Sequence, residues 1–297
     1  MLPVVERAIA YFTSNWDANG LYSTPSDGLT FNWHPFDQAG GVDAHTNAVI
    51  YRALLGAAAL EERLGSASLA ADYLQEAATL KDAMLAHLWD PSVQAFLQNL
   101  SNPLNNHTQD AQVEAILSGI VTDVMADQAL NFITQNLLKD LGVANGEFMN
   151  DPYIKNYISP FISGTELLAR FSVGDAAGAL SLLRRTWGFM LDAGPGTLWE
   201  KIAFDGTPSA YGKNIYPPNK PNGAGGVSHA HGWSGGSTAA LSGYVLGIRP
   251  VTPGYETWII APQPGDLRWA QGQAPTPYGP LVSRWKRSGR PPADASA

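Results

Sequence analysis

The chain has 297 residues, of which 45% are apolar and 15% charged, and its net charge is -8. This composition is typical of a soluble globular protein, and the acidic balance disfavours binding to nucleic-acid phosphates. The absence of cysteine excludes disulfides and thiolate chemistry, and no apolar run is long enough to span a bilayer. We therefore expect neither a nucleic-acid nor a membrane partner, and the N-terminus carries no recognisable signal peptide.

Apolar residues recur at helical spacing through most of the chain and predict helices that follow one another in pairs. The predicted helices cover residues 2–16, 43–64, 69–89, 109–121, 126–141, 163–171, 175–191 and 237–247. Asp43 or Thr46 is expected to cap the second helix, which ends at Gly65. Because the turns within the pairs are short and no fixed sequence period is present, we predict a barrel of antiparallel helical hairpins rather than a solenoid.

The stretch between the first two helices, residues 21–41, is rich in aromatic and turn-forming residues and is predicted to be a loop. Trp33, His34 and Asp37 form an aromatic and polar cluster within it. If the inner helices all begin on one side, this cluster lies at the mouth of the barrel, where a scaffold displays binding groups. A loop that is packed by its own aromatic side chains explains the same pattern, so both interpretations stay open.

From Arg249 onward the pattern changes to Pro-rich turns and β-type runs, which predict a small sheet or the first strands of a β-domain. The runs cover residues 255–260, 267–271 and 281–286. Residues 288–297 are rich in Pro, Ala and Ser and are expected to be disordered. We therefore predict a helical domain over residues 1–248, a small β segment over residues 249–287 and a disordered tail.

Residues 194–247 concentrate aromatic side chains, two histidines and one isolated carboxylate on loops. Glu200 follows Trp199, whose ring can offer an apolar face to a sugar, and a Gly-Pro-Gly turn just before them lets a ligand approach the backbone. An inverting glycosidase needs a carboxylate that activates water, and Glu200 is the best candidate for that role. A surface ion pair of Glu200 with Lys201 or Arg185 is the alternative explanation.

His229, His231 and Trp233 precede the last predicted helix. The spacing of the two histidines does not place them on one helix face, which disfavours a metal site. Imidazole both donates and accepts hydrogen bonds, so binding of sugar hydroxyls is the favoured hypothesis, with capping of the helix as the alternative. Motifs for serine hydrolases, zinc hydrolases and dinucleotide binding are missing from the sequence, so we expect no metal and no cofactor.

Several motifs occur in a characteristic order along the second half of the chain. They cover residues 159–161, 187–190, 197–200, 228–233, 244–250, 262–270 and 276–279. In this order they resemble the C-terminal half of inverting bacterial and fungal α-L-rhamnosidases, and the resemblance covers most of the chain from about Thr30. The catalytic domain of that family is an (α/α)6 barrel followed by a β-sandwich. The resemblance implies a mainly α fold, an incomplete helical-hairpin (α/α)6-type barrel, with a short C-terminal β segment.

The resemblance also implies a function, the hydrolysis of terminal α-L-rhamnosides with inversion. Glu200 is then the general base, His231 a substrate-binding histidine, and Trp33 an aromatic contact of the sugar pocket. The further candidates for substrate binding are Trp199, Trp233, His229 and Asp37.

The general acid of the family lies in an acidic, Arg-containing segment, and nothing before Phe31 resembles that segment. We therefore expect the chain to be truncated at its N-terminus. Asp37, Glu147 and Asp151 are the internal carboxyls that are candidates to replace the acid, and a structural role is the alternative for each.

Two other functions fit the same residues, because a fold does not determine a chemistry. A sugar-binding remnant would keep the aromatic residues but lack the acid, and a polysaccharide lyase would use the same kind of helical barrel. The expected partner is a carbohydrate, with a homo-oligomer left open. The sequence leaves the compartment undetermined.

Overall fold

The computed structural model of the chain describes residues 2–24, 40–101, 106–147, 157–206 and 228–288. Within these ranges the chain is mainly helical with short strands, as predicted. The helices are α1 (Leu2–Thr13), α2 (Ala44–Leu64), α3 (Ala67–His87), α4 (Gln109–Ser118), α5 (Asp123–Phe132), α6 (Pro160–Ser172), α7 (Ala176–Leu183), α8 (Phe189–Ala193) and α9 (Gly236–Ala240). The strands are β1 (Trp89–Asp90), β2 (Ala95–Phe96), β3 (Leu138–Lys139), β4 (Gly142–Val143), β5 (Ile248–Pro250), β6 (Trp258–Ile260), β7 (Trp269–Ala274) and β8 (Leu281–Lys286), and consecutive strands pair.

The chain divides into two compact units. The first contains Met1–Leu138 and Ala144–Asn156, and the second contains Lys139–Val143 and Tyr157–Ala297. The division into residues 1–248 and 249–287 stays a prediction, and the expected disordered tail lies outside the described residues from residue 289 onward. In the part of the chain that is described, no helix is both long enough and apolar enough to cross a membrane.

The first unit shows how local sequence sets the helix starts. Asp43 Oδ1 accepts a hydrogen bond from Thr46 N over 2.7 Å, so Asp43 is the cap that α2 uses. Ser66 caps α3 in the same way. Between these helices lies an apolar core, whose fully buried side chains include Leu54, Leu80, Met84 and Phe96.

The cap of α2 is also a buried charge. Asp43 is 1% exposed, and its burial raises the pKa of its carboxyl to about 6, while the charge of His45 lowers this pKa and that of Asp110 raises it. Removing a carboxylate from water costs free energy, so ionisation of Asp43 opposes folding near neutral pH.

In the second unit, a glycine pair lets α6 and α9 cross in backbone contact. A Cβ atom on Gly164 would lie 3.0 Å from the Cα of Gly236, and a Cβ atom on Gly236 would lie 2.8 Å from the Cα of Gly164. Because neither backbone can move aside as a flexible side chain can, both positions need glycine. The crossing holds the residues before α9 close to the start of α6.

Three charged residues connect α6 to α7. Arg170 Nε lies 2.7 Å from Glu166 Oε1, and Arg170 Nη1 lies 2.6 Å from Asp175 Oδ2. Asp175 also caps α7 by accepting a hydrogen bond from Gly178 N. Burial lowers the pKa of the Arg170 guanidinium, but the two carboxylates outweigh this effect and raise it. The guanidinium therefore stays charged and ties the two helices together.

Several helices end differently from the prediction. Helices α5, α7 and α9 each continue into a π-helical turn, and these turns cover Ile133–Leu137, Arg184–Gly188 and Leu241–Val245. The π-helical turn after α7 leads directly into α8. The single helix predicted over residues 175–191 is therefore observed as α7, a π-helical turn and α8 in succession. Trp187 lies in this π-helical turn, and its indole N–H donates a hydrogen bond to the carbonyl O of Ser234.

The C-terminal strands form two antiparallel hairpins, β5 with β6 and β7 with β8. The strand predicted over residues 281–286 is confirmed. The strand predicted over residues 255–260 is shorter, because Gly254 and Tyr255 have φ angles of 72° and 60° and form a turn before β6. Residues 248–250 were not predicted as a strand, since Pro250 disfavours that interpretation.

Candidate active site

Two extended stretches of the second unit pair side by side and carry the predicted site residues. The backbone N of Glu200 donates to the carbonyl O of Ser228 over 2.8 Å, and the backbone N of His231 donates to that of Leu198 over 2.8 Å. The pairing brings Glu200 and His231 together although they are 31 positions apart in the sequence. Backbone hydrogen bonds between two stretches that are distant in the sequence therefore set the position of the site.

The carboxylate of Glu200 is held by the backbone and remains accessible. Its Oε2 accepts a hydrogen bond from Ser228 N over 3.2 Å and lies 3.9 Å from Nδ1 of His231, with the two side chains 21% and 27% exposed. Arg185, which the sequence offered as an ion-pair partner of Glu200, donates to the carbonyl O of Asp140. Glu200 therefore faces an imidazole rather than that guanidinium.

The side chain of Trp199 is buried against His229. It is 1% exposed, and its ring stacks on His229 with centroids 4.6 Å apart and planes inclined by 25°. On another side it packs against Gly194, where an added Cβ atom would lie 2.6 Å from the ring. In the structure the Trp199 ring packs against His229 rather than facing solvent, and its predicted contact with a sugar stays a prediction.

A partly exposed aromatic surface adjoins the Glu200 carboxylate. The ring centroids of His231 and Trp233 lie 4.1 Å apart, and those of Trp233 and Phe161 lie 5.7 Å apart. Phe161, at the start of α6, is 40% exposed. The sequence had assigned no role to Phe161, although it belongs to one of the rhamnosidase-like motifs and the Ser159 cap with Pro160 fixes it at the helix start.

Lys201 lies next to Glu200 in the chain and over a buried ring. Its Nζ atom is 4.6 Å from the ring centroid of Tyr157. Burial lowers the pKa of the Lys201 ammonium, and the Glu200 carboxylate acts in the opposite direction. The site therefore carries a positive charge close to its carboxylate, held by a cation–π contact.

The remaining predicted residues are Glu147, Trp33, Asp37 and Asp151. Glu147 belongs to the first unit, where its Oε2 lies 2.6 Å from Nδ1 of His107 and accepts a hydrogen bond from His107 N. Trp33, Asp37 and Asp151 fall outside the described residues. Among the described residues, no group of three or more acidic or histidine side chains is arranged to hold a metal ion. In the structure Glu147 pairs with His107, a residue 40 positions earlier in the chain.

Two family models match separate parts of the sequence. Residues 247–291 match the bacterial α-L-rhamnosidase C-terminal domain. Residues 19–136 match the mannosylglycerate hydrolase MGH1-like glycoside hydrolase domain. No curated protein matches the chain.

Solved structures of rhamnosidases resemble the chain over most of its length. The GH78 family rhamnosidase of Bacillus sp. GL1 is 25% identical with a TM-score of 0.73, and the match covers 96% of this chain and 28% of that enzyme. The Streptomyces avermitilis α-L-rhamnosidase complexed with L-rhamnose is 20% identical with a TM-score of 0.65, over 97% of this chain and 25% of that enzyme. The Klebsiella oxytoca rhamnosidase with rhamnose bound is 21% identical with a TM-score of 0.61. That match covers 81% of this chain and 41% of the enzyme.

The chain therefore spans between 25% and 41% of the length of these three enzymes. The C-terminal family match and these structural matches both indicate rhamnosidases, whereas the model that matches residues 19–136 describes a different glycoside hydrolase domain. They confirm the resemblance predicted from the motifs: the chain has the helical fold of the GH78 α-L-rhamnosidases, followed by a segment that matches the C-terminal domain of bacterial α-L-rhamnosidases.

Proposed function

We propose that the chain hydrolyses terminal α-L-rhamnosides with inversion of configuration and that Glu200 is the general base. The observation that carries this proposal is the placement of the Glu200 carboxylate, which accepts a hydrogen bond from Ser228 N and lies 3.9 Å from Nδ1 of His231. A carboxylate that is fixed by a backbone N–H and open to solvent is suited to orient a water molecule and remove its proton.

The neighbouring rings suit a deoxy sugar. The rings of His231, Trp233 and Phe161 offer a partly exposed surface, and aromatic faces bind apolar C–H groups such as the methyl group of rhamnose. The nitrogen atoms of His231 can bind sugar hydroxyls. Two similar enzymes were solved with rhamnose, which supports L-rhamnose as the sugar. Trp33 and Asp37 stay proposed contacts from the aromatic loop.

Inversion also requires an acid at roughly 6.5 to 9.5 Å from the base. In the residues that the structure describes, the Glu200 carboxylate contacts Ser228 N and Nδ1 of His231, and neither of these groups is a carboxylic acid. If no acid completes the site, a second candidate function applies, in which the chain binds rhamnosides and leaves them intact. The two candidates differ in turnover but not in sugar binding.

An activated substrate tests the base independently of the acid. Dinitrophenolate leaves without being protonated, so hydrolysis of 2,4-dinitrophenyl α-L-rhamnoside needs the base alone. We expect the wild type to release dinitrophenolate and Glu200→Gln to lose kcat by on the order of 10²- to 10⁴-fold. The control Asp192→Asn changes an exposed carboxylate at the end of α8 and should keep the wild-type rate. Undiminished turnover by Glu200→Gln would contradict the assignment.

Calorimetry separates the two candidate functions. Both predict that L-rhamnose binds the wild type and that His231→Ala and Trp233→Ala weaken binding. Binding without release of dinitrophenolate would favour the sugar-binding module. Failure to bind rhamnose and failure to cleave the activated rhamnoside would contradict both.

A further inference from the structure

The peptide unit that joins Trp199 to Glu200 is fixed at both ends. Its carbonyl O, on Trp199, accepts a hydrogen bond from Ser234 Oγ over 2.7 Å. Its N–H, on Glu200, donates to the carbonyl O of Ser228 over 2.8 Å. Rotation of this peptide plane would swing the Cα–Cβ bond of Glu200, so the two hydrogen bonds together set the direction of the carboxylate.

Ser234 is itself held in place on several sides. It is fully buried, with an exposed fraction of 0%, in the 3-10 turn Gly232–Gly235. Its carbonyl O accepts a hydrogen bond from Trp187 Nε1 over 2.8 Å, and its backbone N donates to the carbonyl O of His231 over 3.2 Å. One buried serine thus links the peptide unit that precedes Glu200 to the backbone of His231.

We infer that Ser234 is a positioning residue that sets the Glu200 carboxylate against His231, an inference that rests on the proposed function of Glu200. Ser234 is too deeply buried to touch a substrate, so it acts only through the Trp199–Glu200 peptide. Without its hydroxyl, the buried carbonyl of Trp199 loses its donor, and the peptide plane is free to turn toward another partner. Substrate binding by the partly exposed surface of Trp233 and Phe161 does not need this hydrogen bond.

Two variants and one matched control test the inference. Ser234→Ala removes the hydroxyl, and Ser234→Cys removes the strong donor but keeps the volume of the side chain. Ser283→Ala is the control, because Ser283 is also buried in the second unit, at 4% exposure, and its Oγ donates to the carbonyl O of Leu246 over 2.8 Å. The control loses an equivalent hydrogen bond away from Glu200.

The kinetic readout separates positioning from general stability. With 2,4-dinitrophenyl α-L-rhamnoside, we expect both Ser234 variants to lose kcat by on the order of 100-fold with little change in KM, as for a misplaced catalytic group. Ser283→Ala should keep both constants. Wild-type kcat in Ser234→Cys would show that only the volume matters and would overturn the inference, as would an equal loss in the control.

Amide hydrogen exchange makes the result independent of turnover. The N–H groups of Glu200 and Ser228 should exchange faster in Ser234→Ala and Ser234→Cys than in the wild type and in Ser283→Ala. If the wild type proves inactive, the proposed function fails. Amide hydrogen exchange at Glu200 and Ser228 then tests by itself whether Ser234 fixes the Trp199–Glu200 peptide. Unchanged exchange at Glu200, or loss of the fold in both Ser234 variants by thermal unfolding, would overturn the positioning role.

Discussion

The ring of Trp199 stacks on the imidazole of His229, with centroids 4.6 Å apart, while Trp199 itself is 1% exposed. A buried tryptophan beneath a site residue contributes first to stability. We expect Trp199→Ala to lower the free energy of unfolding by roughly 3 to 5 kcal/mol, measured by urea denaturation. Trp258→Ala is the comparison, since Trp258 is 49% exposed, and it should cost less than about 1 kcal/mol. Equal effects of the two changes would contradict the burial argument.

The close approach of Gly194 to that ring gives a second prediction. Because a Cβ atom at Gly194 would lie 2.6 Å from the Trp199 ring, Gly194→Ala should destabilise the protein by about 1 to 3 kcal/mol. Gly188 lies in a helical turn with nothing within 4 Å of an added Cβ atom. Gly188→Ala should therefore stabilise by about 0.5 to 1 kcal/mol. Thermal unfolding should therefore give a lower melting temperature than the wild type for Gly194→Ala and a higher one for Gly188→Ala.

The buried cap of α2 predicts a dependence of stability on pH. Burial raises the pKa of Asp43 from 3.8 to about 6, so the folded state binds the proton more tightly than the unfolded state. Protonation of Asp43 therefore stabilises the folded state, fully below about pH 4, and this stabilisation is lost as the pH rises through 6. Asp43→Asn keeps an oxygen that can accept from Thr46 N and carries no charge. At pH 7 it should be more stable than the wild type by about 3 kcal/mol.

Urea unfolding between pH 4 and pH 7 measures this difference. The stability gap between Asp43→Asn and the wild type should open between pH 4 and pH 6 and then stay constant. Asp192→Asn, which removes an exposed carboxylate, is the control for the loss of one negative charge. A gap that closes as the pH rises would contradict the direction of the Asp43 shift.

The sequence predicted the helices well because their signals are local. Asp43, Ser66 and Asp175 cap helices through hydrogen bonds to residues only three positions away, so the nearby sequence contains the whole interaction. The crossing of α6 and α9 could not be predicted, because the contact between Gly164 and Gly236 depends on residues far apart in the chain. Neither glycine alone indicates its partner.

The candidate site was predicted only in part, because residue type is visible in the sequence whereas contacts between distant residues are not. Glu200, His229, His231 and Trp233 stood out by residue type and by their loops, and the structure places all of them in one cluster. The burial of Trp199, the surface of Phe161 and the role of Ser234 depend on tertiary packing. The sequence of a Trp-Glu pair in a loop does not show whether the ring faces solvent or the core. A serine just before a helix is typical of a helix cap, so its sequence does not indicate a positioning role.

The most direct test of the central claim is the anomeric configuration of the first sugar released. Hydrolysis of 2,4-dinitrophenyl α-L-rhamnoside by the wild type, followed by ¹H NMR from the earliest time points, should show β-L-rhamnose before mutarotation, because the water that Glu200 activates attacks the face opposite the leaving group. The Glu200→Gln variant should release no sugar on this timescale. Initial release of α-L-rhamnose, or β-L-rhamnose formed at the wild-type rate by Glu200→Gln, would contradict Glu200 as the base of an inverting hydrolase.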